Sequence, residues 1–173
     1  MNLAINLERS ALYFPDRPAI SEAGREMTYG ELNQKANQVA TALIKMGIKP
    51  GNFIGLCAPN SSDWIIFYFG VLKAGAVAVT LSSLLTGEEL SFLLNHSRPR
   101  FIFTFDEKLN DLLRIKNSCG LEKIICPKGD LDLNRMLDIG TSSFKAVDRN
   151  RADMAAILYT GGTTGTPKGV LHT

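Results

Sequence analysis

FIGLCAPNSSDWIIFYFGVLKAGAVAV, residues 53–79, is the stretch on which the fold turns. Phe53-Ile54-Gly55-Leu56-Cys57 is an apolar run too short for a helix and reads as a buried strand. Ser61, Ser62 and Asp63 then offer caps for a helix through Lys73, which Gly75 stops, and Ala76-Val77-Ala78-Val79 is a second apolar run. Two strands separated by a helix are joined by a crossover, so they lie parallel, and strands without polar alternation are covered on both faces. The helix between them is apolar all round at Trp64-Ile65-Ile66-Phe67-Tyr68-Phe69, the pattern of a helix packed on both sides. An acyl-binding groove is the functional reading of that cluster; beside two buried strands, core is the simpler one.

The same alternation extends outward. On the N-terminal side, Thr28-Tyr29-Gly30-Glu31 spells a capping box, and Leu32, Ala36, Val39, Ala40 and Leu43 fall on one face before Gly47, predicting an amphipathic helix over 29–46. On the C-terminal side, Thr86 and Glu89 form a second capping box, followed by Leu90, Leu93 and Leu94 and then by the strand Phe101-Ile102-Phe103. A helix carrying Leu109, Leu112 and Leu113, a strand Lys123-Ile124-Ile125-Cys126 and a strand Ala155-Ala156-Ile157-Leu158-Tyr159 complete the series. Residues 127–153 are rich in charge, Gly, Ser and Asn, and read as a surface excursion with one short helix. The expected fold class is α/β, a mostly parallel doubly wound sheet with helices on both faces and strands near 53–57, 76–80, 101–104, 123–126 and 155–159.

Composition narrows the function classes. The chain has 173 residues, 19 Lys plus Arg against 17 Asp plus Glu, and a net charge of +2, which gives no case for nucleic acid. With 45% hydrophobic residues it has material for a real core. Cys57, Cys119 and Cys126 are odd in number and lack CxxC spacing, and only His96 and His172 could join them, so neither a disulfide framework nor a zinc site is expected. Cys57 reads as a small hydrophobe and His96 as a cap or surface residue. Glu8 and Arg9 fall where a signal peptide needs an apolar run, which points to a cytoplasmic protein. Lys73, Gly70 and Gly75 interrupt Trp64 to Leu81, so no membrane span is expected.

The chemistry concentrates in YTGGTTGTPKG, residues 159–169, directly after an apolar strand. Glycines let backbone N–H groups converge on an anion, threonines add hydroxyl donors and Lys168 adds charge, which together suit a polyphosphate. A P-loop places Ser or Thr after its lysine and opens a helix; here Pro167 precedes Lys168 and Gly169 follows it. A strand-loop-strand hairpin is predicted instead, with Val170-Leu171 starting the return. The dinucleotide fingerprint GxGxxG is absent. A P-loop NTPase therefore ranks last among the readings, and a flexible linker does not account for a fixed string after a strand.

YTGGTTGTPKGV resembles the signature loop of the adenylate-forming, AMP-binding superfamily, which comprises acyl-CoA synthetases, aryl-CoA ligases, luciferases and the adenylation domains of peptide synthetases. Met27-Thr28-Tyr29-Gly30-Glu31-Leu32, Pro59-Asn60-Ser61 and Gly70-Val71-Leu72-Lys73-Ala74-Gly75-Ala76 are similar to stretches that precede the loop in acyl-CoA synthetases. The resemblance implies a two-step ligase, in which a carboxylic acid and ATP give an acyl-adenylate and coenzyme A then takes the acyl group, with Mg2+ accompanying the ATP. It makes Thr160, Gly161, Gly162, Thr163, Thr164 and Gly165 contacts to the β- and γ-phosphates, Lys168 their charge partner and Thr160 the position associated with magnesium. His172 matches a histidine often present in relatives; a frayed chain end is the plainer expectation for it here. The chain departs from many relatives in having Gly161 for Ser, Thr80 for Pro and Ser82-Ser83 for Asn-Pro.

On this resemblance, residues 1–173 form the N-terminal part of an adenylation domain, cut just after the loop at 159–169. The family's adenine, ribose and acyl contacts, its hinge and its late lysine lie beyond such a segment, so the expectation is a piece of an acyl-CoA synthetase that is inactive alone. An aryl-CoA ligase, a peptide-synthetase adenylation domain and a non-catalytic interaction module derived from one are the alternatives. Apolar surface that the intact enzyme covers is expected to be exposed or used in self-association.

Overall fold

The computed structural model describes residues 2–160 and 167–173, with Thr160 described in its backbone alone. Helix α1 (Ile5–Tyr13) leads into an antiparallel hairpin of β1 (Pro18–Glu22) and β2 (Arg25–Thr28), followed by α2 (Tyr29–Lys45). Then come β3 (Phe53–Cys57), α3 (Ser62–Lys73), β4 (Val77–Thr80), α4 (Gly87–Ser97), β5 (Phe101–Thr104), α5 (Asp106–Cys119) and β6 (Lys123–Ile125). Helix α6 (Leu133–Ile139), β7 (Ala156–Thr160) and β8 (Lys168–His172) close the series.

Both capping boxes form. Thr28 Oγ1 accepts from the Glu31 amide at 3.2 Å while Glu31 Oε2 accepts from the Thr28 amide at 2.8 Å, and Thr86 with Glu89 repeats the arrangement at the start of α4. Strands β6, β5, β3, β4 and β7 lie in that order and run parallel, and β8 adds antiparallel to β7. Side chains of successive strand residues point to opposite faces, and two cores follow from this. Ile54, Leu56, Ala78, Phe101 and Phe103 pack with α2, α3 and α6; Cys57, Val77, Val79, Ile102 and Ile124 pack with α4 and α5. The sheet is thus mostly parallel with helices on both faces, and the predicted strand limits are met to within one residue.

Helix α3 lies between the sheet and α2. Phe67 stacks on Phe103 with ring centroids 4.6 Å apart, and both sit in the core; burying a Phe stabilises by about 1.5–3 kcal/mol. On its far side the contact depends on Gly70, where a Cβ would lie 2.4 Å from Val39 Cγ1 and 2.5 Å from Val39 Cβ. No side chain fits there, so Gly70 sets how closely α2 and α3 approach.

Three N-terminal elements, α1, β1 and β2, and one tertiary role escape the sequence patterns. Helix α1 has Ala4 at its cap with no side-chain bond. What fixes it is distant: Asn2 Nδ2 donates to the carbonyls of Leu72 at 2.6 Å and Val147 at 2.9 Å, while its Oδ1 accepts from the Ala4 amide. The β1–β2 turn uses Ala23 and Gly24, both at positive φ, in place of the usual Asn-Gly signal. Residues 127–153 contain the one short helix expected but are more than a surface excursion. Met136 is fully buried, and Asn37, Gln38 and Lys45 of α2 donate to the carbonyls of Ser142, Leu137 and Ile139.

Candidate functional site: the base of the glycine-threonine hairpin

Strand β7 is held on its parallel side by β4, with Val79 opposite Ile157 and Thr80 opposite Leu158. Thr80 donates its hydroxyl to the Ile157 carbonyl at 3.3 Å. The segment after Pro167 is a strand, which agrees with the predicted hairpin: Thr160 is opposite Lys168, Tyr159 opposite Gly169 and Ala156 opposite His172. His172 is not frayed, since its carbonyl accepts from the Ala155 amide at 2.7 Å. Of the expected phosphate contacts, Gly161, Gly162, Thr163, Thr164 and Gly165 lie outside the described residues. The two that bracket them, Thr160 and Lys168, form the last pair of the ladder, with Lys168 exposed. Antiparallel partners have Cα atoms about 4.5–5.5 Å apart, so the ladder brings both ends of the 161–167 segment together.

The sequence reading missed a partner for this hairpin. Along β7, Ile157 and Tyr159 share the face that packs with α4 and α5. The Tyr159 hydroxyl lies 2.7 Å from Nδ1 of His96, in the last turn of α4, and the two rings meet edge-on at 78° with centroids 5.9 Å apart. Burial pushes the Tyr159 phenol above its ordinary value, with the nearby Ser97 side chain opposing the shift. His96 is a surface residue, as expected, but with a tertiary partner that its neighbours in sequence do not reveal.

At the carboxyl ends of β3, β5 and β6 lies a cleft of about 500 Å³ lined by Asp63, Asp106, Glu107 and Asp132. Asp106 pairs with Lys128 at 3.2 Å and Asp132 caps α6 through the Arg135 amide. The charged residues that line this cleft are all carboxylates, which disfavours a polyphosphate there; Lys168 stands on the opposite edge strand, at the mouth of the hairpin. Among the described residues no group of three or more His, Cys, Asp or Glu gathers to hold a metal, and no helix is long and apolar enough to cross a membrane. All three cysteines are buried and unbridged.

Residues 7–173 match the AMP-binding enzyme family. A dimodular nonribosomal peptide synthase of Bacillus subtilis is 30% identical over 168 residues, covering 95% of this chain and 7% of that protein. The fold is similar to that of the anthranilate CoA ligase AuaEII in complex with anthranoyl-AMP, with TM-score 0.94 and 31% identity over 100% of this chain and 35% of the ligase. It is also similar to ATP-bound MatB from Rhodopseudomonas palustris, with TM-score 0.82 and 28% identity over 98% of this chain and 34% of that one. The chain spans a small part of the peptide synthase and about a third of each solved relative. With the signature loop, the parallel sheet and the match over nearly its whole length, the chain belongs to the AMP-binding enzyme family.

Proposed function

We propose that this chain is the N-terminal part of an ATP-dependent acid–thiol ligase, an acyl-CoA synthetase acting on a fatty acid or similar carboxylic acid in the cytoplasm. The observation that supports it most is the ladder that ends on Thr160 and Lys168, because it presents a Gly- and Thr-rich segment between two fixed ends beside a cation. In the proposed first step a carboxylate oxygen bonds to the α-phosphorus of ATP and the bond to the bridging oxygen breaks, releasing pyrophosphate. In the second, the coenzyme A thiol attacks the acyl carbon and AMP leaves. The role assigned to Gly161, Gly162, Thr163, Thr164 and Gly165 is donation of amide and hydroxyl hydrogens to the β- and γ-phosphates, and that of Lys168 is to offset the charge gathering on pyrophosphate. Magnesium keeps several waters and rides on substrate phosphates, so it asks few oxygens of the protein. Thr160 is the one proposed here.

The similarity to the nonribosomal peptide synthase favours a second reading, an adenylation domain that passes its acyl group to a carrier-bound thiol; the likeness to AuaEII favours an aromatic acid as substrate. Carboxylate-dependent ATP–pyrophosphate exchange in the full-length enzyme tests adenylation. Transfer from preformed acyl-adenylate to coenzyme A, or its failure, then separates the ligase from the carrier-dependent enzyme. The 173-residue chain alone is expected to show no exchange. Exchange that does not depend on an acid would refute the proposal in both forms.

A further inference from the structure

We propose that His96 is a positioning residue for the nucleotide phosphates, acting through Tyr159 to fix both arms of the hairpin that carries the candidate loop. This role rests on the ligase reading; the clamp itself rests on geometry alone. The Tyr159 side chain leaves β7 on the α4 side, next to Thr160 in sequence, and its hydroxyl is fastened to His96 Nδ1 at 2.7 Å. The opposite arm is held by the same ring. Gly169 is the ladder partner of Tyr159, and a Cβ there would lie 3.3 Å from Tyr159 Cε1 and 3.2 Å from Ile157 Cγ2. The ring therefore lies close over the β8 backbone one residue after Lys168, where an added Cβ would need the ring or Ile157 to give way by a few tenths of an ångström.

The anchor at the other end is firm. Helix α4 is capped at Thr86 and buries Leu90, Leu93 and Leu94, and Ser97 Oγ donates to the Leu93 carbonyl at 2.7 Å. One aromatic ring thus ties the residues flanking Thr160 and Lys168 to a helix of the core. Strand β8 needs such a tie because it is the edge strand and all five of its residues are exposed. A hairpin whose base is fixed before ligand arrives loses less conformational freedom on gripping phosphates, so the effect belongs to ATP affinity and not to the acid.

The test uses His96→Ala, Tyr159→Phe, their combination, and His96→Asn, whose amide reaches about as far as Nδ1. In the 173-residue chain, amide hydrogen exchange across β7 and β8 is expected to quicken roughly three- to ten-fold in either single variant, as for loss of one hydrogen bond. The double variant is no faster, His96→Asn returns toward wild type, and β3 and β5 are unchanged. Unchanged exchange in β7 and β8, or equal quickening over the whole sheet, overturns the clamp. In the full-length enzyme the KM for ATP in the exchange assay rises by a similar factor while the KM for the acid stays. Faster amides with an unchanged ATP KM overturn the positioning role. A wild-type enzyme without acid-dependent exchange sinks the ligase reading and with it the role toward ATP, while the amide measurement still decides the clamp.

Discussion

Glu8 and Lys73 offer the sharpest test of what holds the N-terminal helix to the core. The Lys73 side chain is completely buried at the end of α3, Glu8 is 23% exposed on α1, and Lys73 Nζ lies 2.7 Å from Glu8 Oε1, which also accepts from the Ala146 amide at 2.8 Å. Charges at that distance attract by about 6 kcal/mol at an effective dielectric of about 20. Desolvation of the ammonium cancels much of this, so the pair is close to neutral as a unit and costly to break from one side. Glu8→Gln keeps an acceptor for Ala146 but strands a buried ammonium, and is expected to cost roughly 3–5 kcal/mol. Lys73→Met keeps the stem and leaves a carboxylate that water reaches, for about 1–2 kcal/mol. The double variant should resemble Lys73→Met alone, far from the sum, because the second change removes the ammonium the first one strands.

Urea unfolding followed by circular dichroism measures all four proteins, with an unchanged slope as the check on two-state behaviour. The pH dependence adds a second signature. Burial lowers the Lys73 pKa from 10.5, and the hydrogen bond and charge of Glu8 hold it up. Between the lowered folded value and 10.5 the unfolded chain binds the proton more, so stability rises with pH there; below the folded value both states keep the proton and this group contributes no slope. Glu8→Gln removes the support, so the rising window extends to lower pH. A Glu8→Gln cost smaller than that of Lys73→Met, or additive costs, would refute the reasoning.

Gly70→Ala forces a Cβ to within 2.4 Å of Val39 Cγ1 and is expected to cost about 1–3 kcal/mol in the same assay, with Val39→Ala recovering part of it. In the full-length enzyme Lys168→Ala should slow ATP–pyrophosphate exchange or weaken ATP about ten- to a hundred-fold, and Thr163→Ala or Thr164→Ala less; loss confined to thioester formation would place Lys168 outside the ATP site. Burial pushes the Cys57 thiol up to about 11, so it should resist alkylation at about pH 8 until the protein unfolds. Leu158 and Val170, 40% and 44% exposed and directly opposite each other across β7 and β8, are the proposed seat of self-association. Light scattering should show oligomers that Leu158→Thr with Val170→Thr reduces to monomer, and a monomeric parent chain would count against it.

What the sequence made legible is what its neighbours determine. The capping boxes at Thr28 and Thr86 are closed within four residues, and Phe53–Cys57, too short and too apolar to be anything but a buried strand, needs only its own composition to be read. Helix α1 is the counterexample. Its start has no side-chain cap at Ala4 to read, and its place depends on Asn2 reaching Leu72 and Val147 and on Glu8 reaching Lys73. The same reason separates the parts of the candidate site. The glycines, threonines and Lys168 are contiguous, so the expectation of phosphate binding can be formed from their pattern alone. His96 is 63 residues from Tyr159 and joins it only because the chain crosses from β4 over β3 to reach β5, which lays α4 on the face toward which Tyr159 points. A histidine near a helix end has no local feature to distinguish it from a solvated one. Its significance comes from the strand across from it, and strand neighbours in this sheet are set by topology: β4 adjoins β7 with α4, β5, α5, β6 and α6 intervening in sequence. Contacts that fix a loop in space therefore arise last in the chain of causes, after helix, strand and sheet order are settled, and they are the ones that composition and spacing leave unread.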